Sequence, residues 1–188
     1  NGCRLAIVAT TVEDFLAKLN KAVDQLGTKS EWQDPTGIYY SEAAAVAPER
    51  VAFLYPGQGS QSVNMLRDLA VSSHWSQDLF ASANRQLLDR FPVSLTRLIY
   101  PPPAFSQSED DERCAKLNDT AVAQPALGLV EVFATQLLQR YGIAPAAVAG
   151  HSYGEYVALH AAGVMDVDDL LEISAERGRV SAEASELC

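Results

Sequence analysis

The stretch Ala146-Ala147-Val148-Ala149-Gly150-His151-Ser152-Tyr153-Gly154-Glu155 decides how the chain folds. Ala146 to Ala149 is a small apolar run and reads as a short buried strand; Glu155 to Ala162 reads as a helix. A strand, a sharp turn with serine at its apex and a helix make up the Gly-x-Ser-x-Gly nucleophile elbow. The glycines let backbone approach backbone where a Cβ would clash. The turn lifts the Ser152 hydroxyl out of the sheet. The helix N-terminus beneath it offers free N–H groups and a positive dipole end to a developing oxyanion. An ordinary strand–helix turn is the competing reading, since glycine and serine are common.

Working outward, a long helix feeds the strand. Leu127, Val130, Ala134, Leu137, Leu138 and Tyr141 share a face, Gly142 closes it, and Gln124-Pro125 stands in its first turn after a lead-in over 118–123. Earlier, Val51-Ala52-Phe53-Leu54-Tyr55 reads as a second buried strand, followed by Pro56-Gly57-Gln58-Gly59-Ser60-Gln61 and a helix over about 62–70. This turn lacks the Gly-Lys-Ser/Thr ending and the G-x-G-x-x-G spacing of nucleotide loops. It reads as a loop whose N–H groups line an anion or oxyanion site, with Gln58 and Gln61 as polar handles. A tight structural turn is the alternative.

Between these segments the spacing of Trp75, Leu79, Ala83, Leu87 and Phe91 predicts a helix over about 73–90, with a short one over 94–100. Residues 104–113, with Ser108-Glu109-Asp110-Asp111-Glu112, read as an exposed loop whose acids are a solvated charge run rather than a metal site. After the elbow helix Gly163 is a break, and Asp166 caps a last helix to about Glu183. Leu170, Ser174, Arg177 and Ser181 share one face of it, with Ile173 and Val180 alongside. Arg177 therefore lies on a partly apolar stripe. A guanidinium so placed calls for a carboxylate or phosphate partner, unless it snorkels or closes an internal ion pair.

At the N-terminus, Cys3 to Ala9 is β-prone. Thr10 and Glu13 offer a capping box to a helix carrying Val12, Phe15, Leu16, Leu19, Val23 and Leu26, and Gly27 ends it. Residues 28–37 read as a loop, Ile38-Tyr39-Tyr40 as a strand and 43–49 as a linker. No catalytic group stands out here, and the segment reads as a small packing module.

The 188 residues suffice for one domain with a substantial core, and 48% hydrophobic with 20% charged residues is ordinary for a globular protein. A net charge of -10 without a Lys/Arg-rich run speaks against a nucleic-acid partner. No apolar run is read as approaching the ~18 residues of a membrane span, and no signal-peptide pattern is present. Cys3, Cys114 and Cys188 lie far apart and form no metal spacing, which points to a reduced, cytoplasmic setting. The sequence opens without a Met and stops just after a helix, so it reads as a piece of a larger polypeptide.

Together, Pro56-Gly57-Gln58-Gly59-Ser60-Gln61, Gln124-Pro125-Ala126, Gly150-His151-Ser152-Tyr153-Gly154-Glu155 and Arg177-Gly178 resemble the malonyl-CoA:acyl-carrier-protein transacylase family, including the acyltransferase domains of polyketide and fatty acid synthases. Their order and separations fit, from about Arg50 onward. The resemblance implies an α/β fold. Residues 50–188 would be the α/β-hydrolase-like large subdomain of an acyltransferase, a parallel sheet flanked by helices, incomplete at its C-terminus. Residues 1–49 would be a small α/β linker joining a ketosynthase to it in the same polypeptide.

By position, Ser152 would be the nucleophile and the backbone N–H groups of Gln58 and Tyr153 the oxyanion hole. Arg177 would pair with the free carboxylate of a malonyl-type extender, and Gln124 would line the pocket. No metal and no bound cofactor are implied. The resemblance implies acyl-coenzyme A as the substrate and the phosphopantetheine of an acyl carrier protein as the acceptor. Malonyl is favoured over methylmalonyl, although Tyr153 occupies a position that varies among extender classes. The family's catalytic His would come beyond Cys188. None of His74, His151 or His160 fits that role, and His160 reads as structural. The 188 residues alone are therefore expected to transfer acyl groups poorly or not at all. Two rival readings are a serine hydrolase, patatin-like or α/β-hydrolase, passing the acyl group to water, and a non-catalytic docking segment.

Overall fold

The computed structural model describes residues 3–43 and 50–186. It contains two compact units, residues 1–47 and 48–188. Most of the linker expected over 43–49 lies outside the described residues.

The first unit is a three-stranded antiparallel sheet and one helix. Strands β1 (Arg4–Ile7), β2 (Glu31–Asp34) and β3 (Ile38–Ser41) stand in the order β1-β3-β2, and helix α1 (Val12–Gln25) lies between β1 and β2 in sequence. Strand β2 corrects the loop expected over 28–37. Its sequence Glu-Trp-Gln-Asp holds one large apolar residue, so period-two alternation is barely visible. The hairpin turn is set by Asp34, which accepts from the Thr36 N–H (2.8 Å), while the Gly37 N–H donates to the Asp34 carbonyl (2.9 Å). Lys21 lies 2.5 Å from the Asp34 carboxylate and, with Thr36, holds it well below the usual carboxylate range. The capping box of α1 sits one residue later than expected. Thr11 Oγ1 accepts from the Asp14 N–H (3.1 Å), and the Thr10 N–H donates to the Asp14 carboxylate (3.0 Å).

In the second unit, β4 (Ala52–Tyr55) and β5 (Ala147–Gly150) pair in parallel, Ala52 opposite Ala147 and Tyr55 opposite Gly150. The crossover between them carries α2 (Arg67–Ser72), α3 (His74–Gln86), α4 (Leu95–Ile99), α5 (Gln107–Asn118) and α6 (Thr120–Arg140). After β5 come α7 (Gly154–Ala161) and α8 (Val167–Glu186). Both strands were expected to be buried. Only the face of β4 turned toward α6 is covered, because Tyr55 is buried while Leu54 is 77% exposed.

Helix α6 is the axis of this unit, packed along α8 and nearly encircled by apolar side chains. Phe133 at its centre is fully buried and touches Trp75 (5.4 Å between centroids) and Phe80 (5.6 Å). Each such burial is worth about 1.5–3 kcal/mol. By length and composition α6 could cross a membrane, which corrects the expectation that no run comes close. In the structure 67% of its most apolar stretch is buried, so the apolarity serves the core.

Four other helix assignments change. Residues 62–66 do not join α2, since Asn64 (φ 64°) and Leu66 (φ 54°) are left-handed and interrupt the expected helix. Helix α3 stops at Gln86, and residues 87–90 form turns. The expected loop over 104–113 is mostly helix α5, N-capped by Ser106 accepting from the Glu109 N–H (3.3 Å). Leu117 is its one buried residue among those described, so the apolar periodicity that would reveal it is absent. Helix α6 starts at Thr120, capped by Asp119, which places Pro125 inside rather than in the first turn. Pro125 cannot donate to the Ala121 carbonyl. That carbonyl lies against Gly178 of α8, where an added Cβ would stand 2.7 Å from the Thr120 oxygen and 3.1 Å from the Ala121 oxygen.

Candidate active site

Ser152 sits between β5 and α7 with φ of 54°, in the left-handed region a serine rarely enters. The turn is fixed by backbone. The His151 N–H donates to the Tyr55 carbonyl (3.0 Å) and the Gly154 N–H to the His151 carbonyl (3.0 Å). Sterics leave it no other course. A Cβ on Gly150 would meet the Gly154 carbonyl carbon at 2.1 Å, and one on Gly154 would meet the Tyr55 oxygen at 2.2 Å. Ser152 is exposed, and among the described residues nothing is hydrogen-bonded to its hydroxyl.

The loop after β4 forms the second wall. Gly57 packs on the elbow so closely that a Cβ there would lie 2.6 Å from the His151 oxygen, 3.0 Å from the Ser152 Cβ and 3.4 Å from the Tyr153 nitrogen. This brings Gly57, the residue before Gln58, beside the Tyr153 nitrogen. Among the described residues neither the Gln58 N–H nor the Tyr153 N–H has an acceptor. Side chains hold the loop. Gln58 Nε2 donates to Thr120 Oγ1 (3.1 Å), Gln124 Nε2 to Gln58 Oε1 (3.2 Å) and Gln61 Nε2 to Asn118 Oδ1 (2.8 Å). Gln61 Oε1 accepts from the Gly59 N–H (2.8 Å). Gln124 is buried, and its Oε1 has no partner among the described residues.

The third wall is α8. Tyr153 is fully buried; its hydroxyl donates to Ser174 Oγ (2.6 Å), and Ser174 donates onward to the Leu170 carbonyl (2.5 Å). Gly128 of α6 gives this phenol room, since a Cβ there would lie 2.3 Å from the hydroxyl oxygen. Burial pushes the Tyr153 phenol far above its ordinary value, against smaller pulls from the Ser174 hydrogen bond and the Arg177 charge. Arg177 follows Ser174 by one turn and is half-buried. Its guanidinium carbon lies 5.3 Å from the centre of the Tyr156 ring, and Tyr156 stacks on Tyr153 at 6.2 Å and 17°. Among the described residues Arg177 meets no carboxylate.

The structure therefore gathers Ser152, Gln58, Tyr153, Gln124 and Arg177 about one elbow. His74 and His151 are exposed. His160 Nδ1 is 3.0 Å from the Met165 carbonyl and braces the turn after α7. Sequence reasoning missed Thr120, Ser174, Tyr156 and Gly128. A glycine in mid-helix was the available sign for the last of these. It also missed Glu131 on α6, which is 9% exposed with neither oxygen partnered among the described residues. Burial pushes its carboxyl up to about 8. Glu131 lines a groove of about 360 Å³ with Phe53, Leu54, Tyr55 and Pro56. A larger hollow of about 550 Å³, against Trp32 and Tyr40 of the first unit, contains none of the elbow residues. Among the described residues no cluster suited to a metal ion is present.

Residues 52–186 match the family described as the acyl transferase domain. The chain belongs to that family. It is 40% identical over 134 residues to the malonyl CoA-acyl carrier protein transacylase of Escherichia coli (strain K12), a match covering 71% of this chain and 39% of that protein. It is 33% identical over 177 residues to polyketide synthase GfsB of Streptomyces halstedii, covering 94% of this chain and 3% of that protein. Among solved structures it resembles the acyl carrier protein S-malonyltransferase of Vibrio cholerae, with a TM-score of 0.58 and 36% identity over 69% of this chain and 38% of that one. It also resembles the acyltransferase domain from the second module of the salinomycin polyketide synthase, with a TM-score of 0.70 and 30% identity over 96% of this chain and 38% of that one. The chain thus spans well under half the length of each of these four relatives. The fold is the α/β-hydrolase-like one of these acyltransferases.

Proposed function

We propose that this chain is the nucleophile-bearing part of an acyltransferase that moves a malonyl-type group from coenzyme A to the phosphopantetheine thiol of an acyl carrier protein. The observation that carries the reading is the strained, exposed Ser152 with the Gly57–Gln58 peptide packed against it. Ser152 Oγ adds to the thioester carbonyl and gives up its proton to a base. The N–H groups of Gln58 and Tyr153 receive the oxyanion. The coenzyme A thiolate leaves and takes a proton, which produces a Ser152 ester. The carrier thiol then attacks that ester and restores Ser152. Arg177 receives the carboxylate of the malonyl group, and Gln124 lines the pocket through the loop it holds.

Among the described residues no histidine ring is hydrogen-bonded to Ser152, and the family resemblance puts the base after Arg177. We therefore expect the 188 residues alone to transfer acyl groups poorly. The match to the salinomycin synthase domain covers 96% of the chain, whereas that to the free-standing Vibrio transferase covers 69%. This difference supports reading residues 1–49 as a synthase linker beside a ketosynthase. A complex between a malonyl-transacylase and its type II polyketide carrier protein is among the structural relatives, which supports a carrier protein as partner. Exposed free thiols at Cys3 and Cys114 are in keeping with a reducing, cytoplasmic compartment.

The test uses the longer polypeptide carrying this chain, extended to the length of its transacylase relatives. It is offered malonyl-, methylmalonyl- and acetyl-coenzyme A with a phosphopantetheinylated carrier protein. Arg177→Ala is expected to reduce malonyl transfer at least tenfold relative to acetyl transfer (about 1.4 kcal/mol). Equal losses for both donors would remove the carboxylate role. Release of free malonate in place of carrier loading would favour a hydrolase.

A further inference from the structure

We propose that Tyr156 is a positioning residue that holds the Arg177 guanidinium in place for an incoming carboxylate. The inference rests on the reading of Arg177 given above and deepens it. The two arginines of α8 behave differently. Arg179 is tied to Glu176 (2.5 Å) and Glu183 (2.5 Å), whereas Arg177 meets no carboxylate among the described residues. A long side chain with no ion-pair partner ordinarily samples many rotamers, and ordering it on binding costs affinity. Arg177 is half-buried, with its guanidinium carbon 5.3 Å from the Tyr156 ring centre, inside the range of a cation–π contact.

The ring that receives it is itself fixed. Tyr156 stacks on Tyr153 at 6.2 Å and 17°, and Tyr153 is anchored through Ser174 to the Leu170 carbonyl. Ser174 and Arg177 are neighbours on one face of α8, and Ser152 and Tyr153 are adjacent in the elbow. The nucleophile and the cation are thereby coupled through two stacked rings. A guanidinium over an aromatic face keeps its N–H edge free for a bidentate carboxylate. Tyr156 therefore sets where the carboxylate end of the acyl group lies relative to Ser152.

The test uses the longer polypeptide carrying this chain, extended to the length of its transacylase relatives, with ¹⁵N-labelled arginine and with Tyr156→Leu and Tyr156→Phe as variants. In the free wild-type protein the Arg177 Nε–H proton is expected upfield of the other arginines, and its ¹⁵N relaxation should report an ordered side chain. Tyr156→Leu should abolish both signatures and Tyr156→Phe should keep them. An Arg177 signal that is unshifted and mobile in the wild type overturns the proposal. Malonate is then titrated, with propionate as control for the second carboxylate. Tyr156→Leu is expected to weaken malonate binding about 3- to 10-fold, while Tyr156→Phe stays within about twofold. Equal affinities for wild type and Tyr156→Leu overturn the positioning role. An ordered, ring-shifted Arg177 whose signal is unmoved by malonate overturns instead the carboxylate role on which this inference rests. Circular dichroism of each variant separates these outcomes from misfolding.

Discussion

The two strand-to-helix turns of the second unit build opposite walls of one site by different means. After β5 the chain needs only residues 151–153 to enter α7, and the turn is dictated by backbone contacts at Gly150 and Gly154. After β4 it takes residues 56–66 to reach α2, and the part facing Ser152 is tied down by the amides of Gln58, Gln61 and Gln124. One wall is fixed by the absence of side chains, the other by their presence. On the function proposed above, Ser152 would need a conformation that does not relax, and steric exclusion suits that role. The opposite wall would supply the proposed backbone donor, which hydrogen-bonded side chains can set without strain.

Substitutions should expose the contrast, and the largest effect belongs to the elbow. Gly150→Val puts a side chain 2.1 Å from the Gly154 backbone, which cannot move aside. The expected loss is about 4 kcal/mol or more, seen as failure to give a cooperative urea transition. A well-folded variant would mean that the turn relaxes.

Glu131 tests the helix beneath both walls. Its carboxyl is raised from 4.5 to about 8 by burial, so the folded protein retains a proton that the unfolded chain releases. Stability is therefore fully present below about pH 4.5 and falls as pH rises toward about 8. The slope is about 1.4 kcal/mol per pH unit at most. Urea titrations between those limits should show the decline in the wild type and its absence in Glu131→Gln. Identical pH profiles would show that the carboxyl finds a partner.

A smaller effect is expected at Gly128. Gly128→Ala intrudes 2.3 Å from the Tyr153 hydroxyl, which as a side-chain end can shift, at the expense of its bond to Ser174. The expected cost is about 1–3 kcal/mol, with a change in tyrosine fluorescence that Gly128→Ala and Ser174→Ala should share.

The smallest effect separates the walls most cleanly. Gln58→Ala removes two amide contacts at a cost of about 1 kcal/mol. Hydrogen exchange should quicken about tenfold at residues 57–61 and stay unchanged at 151–156. Equal quickening at both would mean that the elbow leans on the loop.

The same contrast explains what could be read in advance. The elbow was legible because steric exclusion leaves a trace in residue type: Gly150 and Gly154, flanking Ser152, stand where no Cβ fits. The loop's polar character was visible in Gln58 and Gln61, but not its anchors, since Thr120 and Asn118 lie far along the chain. Helix α5 and strand β2 escaped notice because they bury too little for hydrophobic periodicity to mark them. Pro125 pointed to a helix start and is interior instead, because Asp119 caps the helix earlier, accepting from the Ala121 N–H. The stacked pair Tyr153–Tyr156 was hidden because only the fold shows which face of α7 meets Arg177.

The most direct test of the central claim is the mass of the acyl-enzyme. The polypeptide extended to the length of its transacylase relatives is mixed with malonyl-coenzyme A, and its intact mass is recorded beside that of Ser152→Ala. A single malonyl adduct that maps to Ser152 and vanishes in the variant is the expected result. A folded protein that forms no adduct, or an adduct that survives Ser152→Ala, would contradict the assignment of Ser152 as the nucleophile.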